Sequence, residues 1–197
     1  MTEQQRLNAM AAPLLAWYGE HKRTLPWRGT RDPYRVWVSE IMLQQTRVAA
    51  VLPYYQRWMD ELPTVEALAA VDEERLMKLW QGLGYYSRAR NLQKAARAIA
   101  AAGAFPESYE ALLGLPGVGE YTAGAVASIA FGQPVPAVDG NVLRVAARVA
   151  ELREDIMDAK ARRRIRGLME GAVPPDRPGA YNQALMDLGA TGCLPNG

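Results

Sequence analysis

An all-α fold is predicted for this chain of 197 residues by three features. Apolar residues recur at helical intervals along most of its length, runs of alternating β-branched residues are missing, and capping residues followed by Gly or Pro stops divide the chain into short, closely connected segments. Helices of this kind bury one face each. The expectation is two packed helical lobes, with the active site in the cleft between them.

The first clear helix opens at Asp32-Pro33, an N-cap followed by Pro at the first helical position. Its apolar spacing runs on through Ile41, Val48 and Leu52, and predicts one helix ending at Pro53. Further starts fall at Thr64 and at Asp72, where Glu73 and Glu74 complement the helix dipole, and Gly82 and Gly84 mark the stop. Ser87 to Ala102 reads as an Ala-rich helix ending at Gly103, with Leu92, Ala95, Ala96 and Ile99 inward and Arg88, Arg90, Lys94 and Arg97 mostly elsewhere. Helices follow at about 108–114, 120–131, 141–152, 158–171 and 178–190. No repeat or flexible linker separates independent domains, although Pro134 and Pro136 mark a candidate passage between lobes.

Composition narrows the chemistry. With 49% hydrophobic and 22% charged residues, the chain has the make-up of an ordinary globular protein. A net charge of +2 permits nucleic-acid binding without demanding it, because phosphate contact needs a local patch. No apolar run reaches membrane-spanning length, and the first residues, Met1 to Arg6, lack the apolar block of a secretory signal, so a cytoplasmic protein is expected. Cys193 is the single cysteine and His21 the single histidine. They exclude an internal disulfide and cannot supply a complete zinc site. A Ser-His or Cys-His pair would have to use His21, which the charged stretch Glu20-His21-Lys22-Arg23 places on the surface. Hydrolytic chemistry therefore falls to carboxylates.

Two carboxylates stand out. Glu40, in Ser39-Glu40-Ile41-Met42-Leu43-Gln44-Gln45-Thr46, is flanked by apolar residues, and such an environment can keep a carboxyl protonated near neutrality as a general acid. Gln44, four residues on, is expected on the same helix face. Asp139 precedes Gly140-Asn141 at a turn entering a helix. It reads as an N-cap, and backbone donors would keep it ionised before a developing cation. Between them lies Leu112-Leu113-Gly114-Leu115-Pro116-Gly117-Val118-Gly119-Glu120-Tyr121-Thr122-Ala123-Gly124-Ala125, a helix, a glycine turn and a helix of small residues. Gly117, Val118 and Gly119 would leave amide N–H groups at a helix start, where one phosphate can be held.

Five strings, Leu25-Pro26-Trp27-Arg28, Ser39 to Thr46, Gly82-Leu83-Gly84-Tyr85-Tyr86, Leu115 to Gly119 and Val138-Asp139-Gly140-Asn141, occur in the order and approximate spacing of a known group. The chain resembles the MutY-type adenine DNA glycosylases of the endonuclease III, helix-hairpin-helix superfamily, from about Leu14 to its last residue. The resemblance implies a six-helix barrel lobe over 26–135 with the hairpin at about 108–131, and a second lobe from 1–25 and 136–197. It implies a monomeric, bacterial, DNA-associated enzyme that removes adenine opposite 8-oxoguanine or guanine in double-stranded DNA by hydrolysing the N-glycosidic bond. The adenine must be flipped out of the duplex. By the same resemblance Glu40 protonates adenine N7 and Asp139 stabilises the oxocarbenium-like sugar. Tyr121 joins them in the active site, Arg28, Gln44 and Asn141 line or order the pocket, and Gln45 and Tyr85 wedge into the base stack. For Tyr86 core packing competes with such a role, and Arg88 and Arg90 are read as reaching phosphate or as a solvated helix face.

Two alternatives are weighed. An endonuclease III-type enzyme acting on oxidised pyrimidines would also cut the strand through a Schiff base, which needs a lysine after the hairpin glycines. Tyr121 stands there, and no lysine occurs between Lys94 and Lys160. A non-enzymatic helix-hairpin-helix module would explain Pro116 to Gly119 but not Glu40, Asp139 and the Gln44-Gln45 pair. The chain departs from the family pattern at its end. The family carries a 4Fe–4S cluster on four cysteines and a further domain for 8-oxoguanine, and Cys193 matches the first ligand alone. A truncated family member without bound cluster is the resulting expectation.

Overall fold

A computed structural model describes residues 1–195, and every structural statement below refers to these. They form helices and connecting turns with no strand among the described residues, as the sequence predicts. Two compact units result, one from Leu25–Val126, the other from Met1–Thr24 together with the chain from Ala127 onward.

In the Leu25–Val126 unit, α2 (Pro33–Leu43) begins as expected, with the Asp32 carboxylate accepting from the amides of Tyr34 at 2.9 Å and Arg35 at 3.3 Å. The single helix predicted to reach Pro53 is instead two. After α2 the chain breaks at Gln44, turns left-handed at Gln45 (φ 55°), and restarts as α3 (Val48–Glu61), which carries Pro53 in its interior. Proline there costs one backbone bond, that of the Ala49 carbonyl, and Ala49 lies exposed.

α4 (Val65–Ala70) and α5 (Glu73–Trp80) start at the predicted caps, Thr64 and Asp72, whose side chains accept from the amides of Ala67 and Arg75. α6 (Ser87–Ala102) ends on left-handed Gly103 and buries the predicted stripe Leu92, Ala95, Ala96 and Ile99 against its neighbours, chiefly α4. The core of this unit is aromatic: Trp58 meets Trp80 edge-on at 5.5 Å, Trp37 meets Phe105 at 5.8 Å, and Trp27 meets Tyr55 at 5.1 Å. Rings of this size, when fully buried, each contribute about 1.5–3 kcal/mol in apolar transfer. The Trp58 indole donates to the Tyr34 hydroxyl, which donates to the Leu62 carbonyl, so these two buried polar tips are paired, whereas the indole nitrogen of Trp37 is buried with no hydrogen-bond partner among the described residues.

α7 (Tyr109–Leu113), capped by Ser108, and α8 (Glu120–Phe131) make the predicted hairpin. Gly117, at φ 75°, is the residue the turn cannot replace. A Cβ there would also lie 2.6 Å from Cβ of Asn91 on α6. The division between the units falls inside α8.

The other unit packs α1 (Glu3–His21) with α9 (Gly140–Ala150), α10 (Ala159–Glu170) and α11 (Pro178–Thr191). Thr2 and Gln5 form a reciprocal capping box at the start of α1. His21 is exposed, as expected, and stacks on Trp17. The buried carboxylate of Asp187 on α11 receives the backbone amide, Nε and a terminal nitrogen of Arg23, the last at 2.6 Å. Its charge is therefore matched by an ion pair and three donors, which offsets the cost of burying it.

Asn182, fully buried on α11, links three segments: its Oδ1 accepts from the Ala137 amide at 3.1 Å, and its Nδ2 donates to the Ser128 hydroxyl at 2.8 Å and the Val135 carbonyl at 2.9 Å. Replacing Asn182 with Ala removes all three of these buried bonds at once. The substitution is expected to lower the unfolding free energy by about 2–4 kcal/mol, seen as a lower urea midpoint at unchanged slope.

Candidate active site

Glu40 sits in the last turn of α2 and is 6% exposed. Its Oε2 accepts a hydrogen bond of 2.5 Å from the hydroxyl of Tyr121, in the first turn of α8. The amide Nε2 of Gln44 approaches the hydroxyl of the next residue, Thr122, at 3.4 Å. Gln44 is the C-cap of α2 rather than a helical residue, yet its side chain still turns toward the hairpin helix. The structure thus brings Glu40, Gln44 and Tyr121 together in one unit. Arg28 lies half-buried in the tight turn closed by its own amide on the Leu25 carbonyl at 2.9 Å.

Asp139 and Asn141 belong to the other unit. Asp139 is the N-cap of α9, as its sequence indicates: Oδ1 accepts from the Val142 amide at 2.8 Å and Oδ2 from Nδ2 of Asn141 at 3.0 Å. The carboxylate orientation is therefore set by two donors, one of them a side chain. Asn141 is itself held, because its Oδ1 accepts from Arg144 at 2.9 Å. The same guanidinium donates to the carbonyls of Gly189 at 2.7 Å and Cys193 at 2.8 Å. Cys193 is free and half-buried, and its Sγ accepts from Arg148. Among the described residues no three His, Cys, Asp or Glu side chains cluster in a way that could hold a metal ion.

In the hairpin turn Gly117 and Gly119 are exposed and Val118 is buried. The Val118 amide donates within the turn to the Leu115 carbonyl at 3.1 Å, so it is not an outward donor. A Cβ at Gly119 would meet nothing within 4 Å, leaving the start of α8 open on that side.

Gln45 and Tyr85 are exposed, Tyr85 by 64%. Both have left-handed backbones, at φ 55° and 46°, a conformation shared among the described non-glycine residues by Glu151 alone. Such a backbone costs roughly 1–3 kcal/mol per residue and persists where the surroundings over-determine it. Tyr86, less exposed, is the N-cap of α6.

Arg88 departs from both of its sequence readings. One terminal nitrogen donates to the carbonyls of Ile41 at 2.9 Å, Met42 at 3.2 Å and Gln44 at 2.7 Å, and the other to Leu83 at 2.9 Å and Gly84 at 3.2 Å. Burial lowers its pKa from the ordinary arginine value, and it remains a cation. Arg90, by contrast, is an exposed side chain paired with Glu73 at 3.0 Å. Sequence reasoning missed Arg88 because its partners lie up to 47 residues away. It also missed Arg144, although the spacing of three from Asn141 was a usable signal.

Residues 38–170 match the family described as HhH-GPD superfamily base excision DNA repair protein. The chain is 48% identical over 200 residues to the adenine DNA glycosylase of Homo sapiens, covering 96% of this chain and 37% of that protein. It is 39% identical to the adenine DNA glycosylase of Buchnera aphidicola subsp. Baizongia pistaciae over 184 residues, covering 92% of this chain and 52% of that protein. The chain spans about one third to one half of the length of these curated relatives. Among solved structures, a thermostable thymine-DNA glycosylase superposes with a TM-score of 0.84 at 28% identity, over 97% of this chain and 89% of that one. An endonuclease III in a non-covalent DNA complex superposes at 0.81 and 23% identity, over 100% and 90%, which speaks for the fold alone. The chain therefore belongs to the HhH-GPD superfamily of base excision DNA repair proteins.

Proposed function

We propose that this chain is the catalytic part of a monofunctional adenine DNA glycosylase, which hydrolyses the N-glycosidic bond of adenine opposite 8-oxoguanine or guanine in duplex DNA. The observation that carries the reading is the buried Glu40 carboxyl with Tyr121 donating to one of its oxygens at 2.5 Å. A carboxyl withdrawn from water and oriented by a neighbour is what a general acid requires. Kinship with adenine DNA glycosylases adds the substrate.

In this reading the duplex binds as backbone, with the open N-terminus of α8 beside Gly119 taking one phosphate. Gln45 and Tyr85 enter the base stack and the adenine leaves it, at a cost of a few kcal/mol in unstacking. Glu40 delivers a proton to N7 of the base, turning a poor anionic leaving group into a neutral one. The glycosidic electron pair departs with adenine, and positive charge grows on the sugar. Asp139, its carboxylate set by Val142 and Asn141, stabilises that charge, and water adds to the sugar carbon, its proton returning to the Glu40 carboxylate to restore the acid. Arg28 and Asn141 order the pocket. The protein works as a monomer.

Tyr121 also argues against strand cleavage. A lyase needs an amine to condense with the opened sugar, and the phenol here is engaged with Glu40. The residues of this chain do not fit a 4Fe–4S cluster. Such a cluster takes four thiolates, Cys193 is the single cysteine, and no step above passes through iron.

Glu40→Gln should bind an adenine:8-oxoguanine duplex as the parent does while single-turnover excision falls by about 10²–10⁴-fold. Undiminished excision would remove Glu40 from the mechanism. Tyr121→Phe, which deletes one hydrogen bond to the acid, should slow excision by about ten- to a hundredfold with little change in affinity. Strand breaks should appear only after alkali treatment of the product, and breaks without alkali would indicate lyase chemistry. Metal analysis of the purified chain should find iron well below one cluster per molecule.

A further inference from the structure

We propose that Arg88 is the positioning residue for Gln45 and Tyr85, holding both in the left-handed backbone from which their side chains enter the base stack. The proposal rests on the base-flipping reading above and adds to it the device that shapes the two wedges.

The geometry of a peptide carries the argument. The carbonyl oxygen of one residue and the amide nitrogen of the next lie in one rigid plane, so holding that oxygen sets one side of the rotation about the following N–Cα bond and restricts it. Gln44 O and Gly84 O belong to the planes that precede Gln45 and Tyr85, and Arg88 donates to both, at 2.7 and 3.2 Å. The Trp80 indole donates to Gly84 O as well, at 2.9 Å. The two planes are thus held by opposite arms of one planar guanidinium, and their separation is as rigid as that group. Its carbon lies 5.2 Å from the Trp80 ring centroid and 5.7 Å from that of Tyr85, so the guanidinium rests against the wedge ring itself.

The same contacts argue against a phosphate role for Arg88. Its two terminal nitrogens carry four N–H groups, and they face five backbone carbonyls, those of Ile41, Met42, Gln44, Leu83 and Gly84. A lysine keeps the charge but has one nitrogen, which cannot span both loops.

The test uses the whole chain and a duplex with 2-aminopurine in place of the target adenine, whose fluorescence rises when the base unstacks. Arg88→Lys, shown to be folded by circular dichroism, should bind the duplex within about threefold of the parent, while unstacking and single-turnover excision of adenine fall by about tenfold or more. Gln45→Ala/Tyr85→Ala should lose at least as much, and adding Arg88→Lys to that pair should cost less than a further twofold. Should Arg88→Lys not fold, Trp80→Phe, which removes the indole bond to Gly84 O and part of the ring under the guanidinium, should, once shown to be folded by circular dichroism, lower unstacking by about two- to fivefold. Losses that multiply in the triple variant, or an unchanged signal in Arg88→Lys or Trp80→Phe while Gln45→Ala/Tyr85→Ala is impaired, would overturn the proposal. Full unstacking by Gln45→Ala/Tyr85→Ala would overturn the wedge reading itself, and the proposal with it.

Discussion

Ending a helix leaves carbonyl oxygens without partners, and α2 ends at Leu43 in a place where those oxygens must be met by protein. The guanidinium of Arg88 meets them, taking Ile41, Met42 and Gln44 on one arm. Much of the Leu25–Val126 unit follows from this. Because α2 stops there, Glu40 lies in its last turn, buried, while the chain leaves the helix four residues later. Because the break is held open, Gln44 turns to Thr122 on α8, and Gln45 stands exposed in a conformation that no α-helix offers. Had the helix continued, both glutamines would lie on its regular surface.

That break was also the part of the fold least legible in the sequence. Helix starts were legible because an N-cap is a local event: the side chains of Asp32, Thr64, Asp72, Ser108 and Asp139 satisfy amides two or three residues on. The inward stripe of α6 was legible for the same reason, a fixed period within one element. Periodicity runs unbroken through Ile41, Val48 and Leu52, however, and nothing between them is a glycine or proline. What interrupts it is a side chain from α6, and a rule that reads neighbours cannot see a donor supplied from more than forty residues away. Pro53, the expected stop, is absorbed at the cost of one backbone bond beside an exposed residue.

The candidate site divides along similar lines. Asp139 could be read as a cap because its two roles coincide: the bond from the Val142 amide that starts α9 also aims the carboxylate. Its second oxygen depends on Asn141, and Asn141 on Arg144, which is anchored to the carbonyls of Gly189 and Cys193. The aim of one carboxylate is thus tied to the end of α11. Glu40 differs. Its apolar neighbours are visible in the sequence, but the donor that orients it comes from α8, and only the fold brings Tyr121 to it.

The two glycines of the hairpin, alike in sequence, answer to different constraints. Gly117 is required from within, by a left-handed φ and by Asn91 packed against its missing Cβ. Gly119 has neither reason: its φ is not left-handed, and a Cβ would point into open space. A residue that the fold leaves free to carry a side chain, at the exposed start of a twelve-residue helix, is one where the bare backbone itself is the useful surface. The helix dipole favours an anion there, and a Cβ would hold that anion off. The turn amide of Val118 is engaged with Leu115, so in the proposed enzyme a phosphate drawn to this corner lies against the start of α8 and not in the turn itself. That turn also carries Tyr121, so a phosphate contact at Gly119 sits two residues from the side chain that orients Glu40. In the proposed enzyme, gripping the backbone and aiming the acid are tasks of one helical turn.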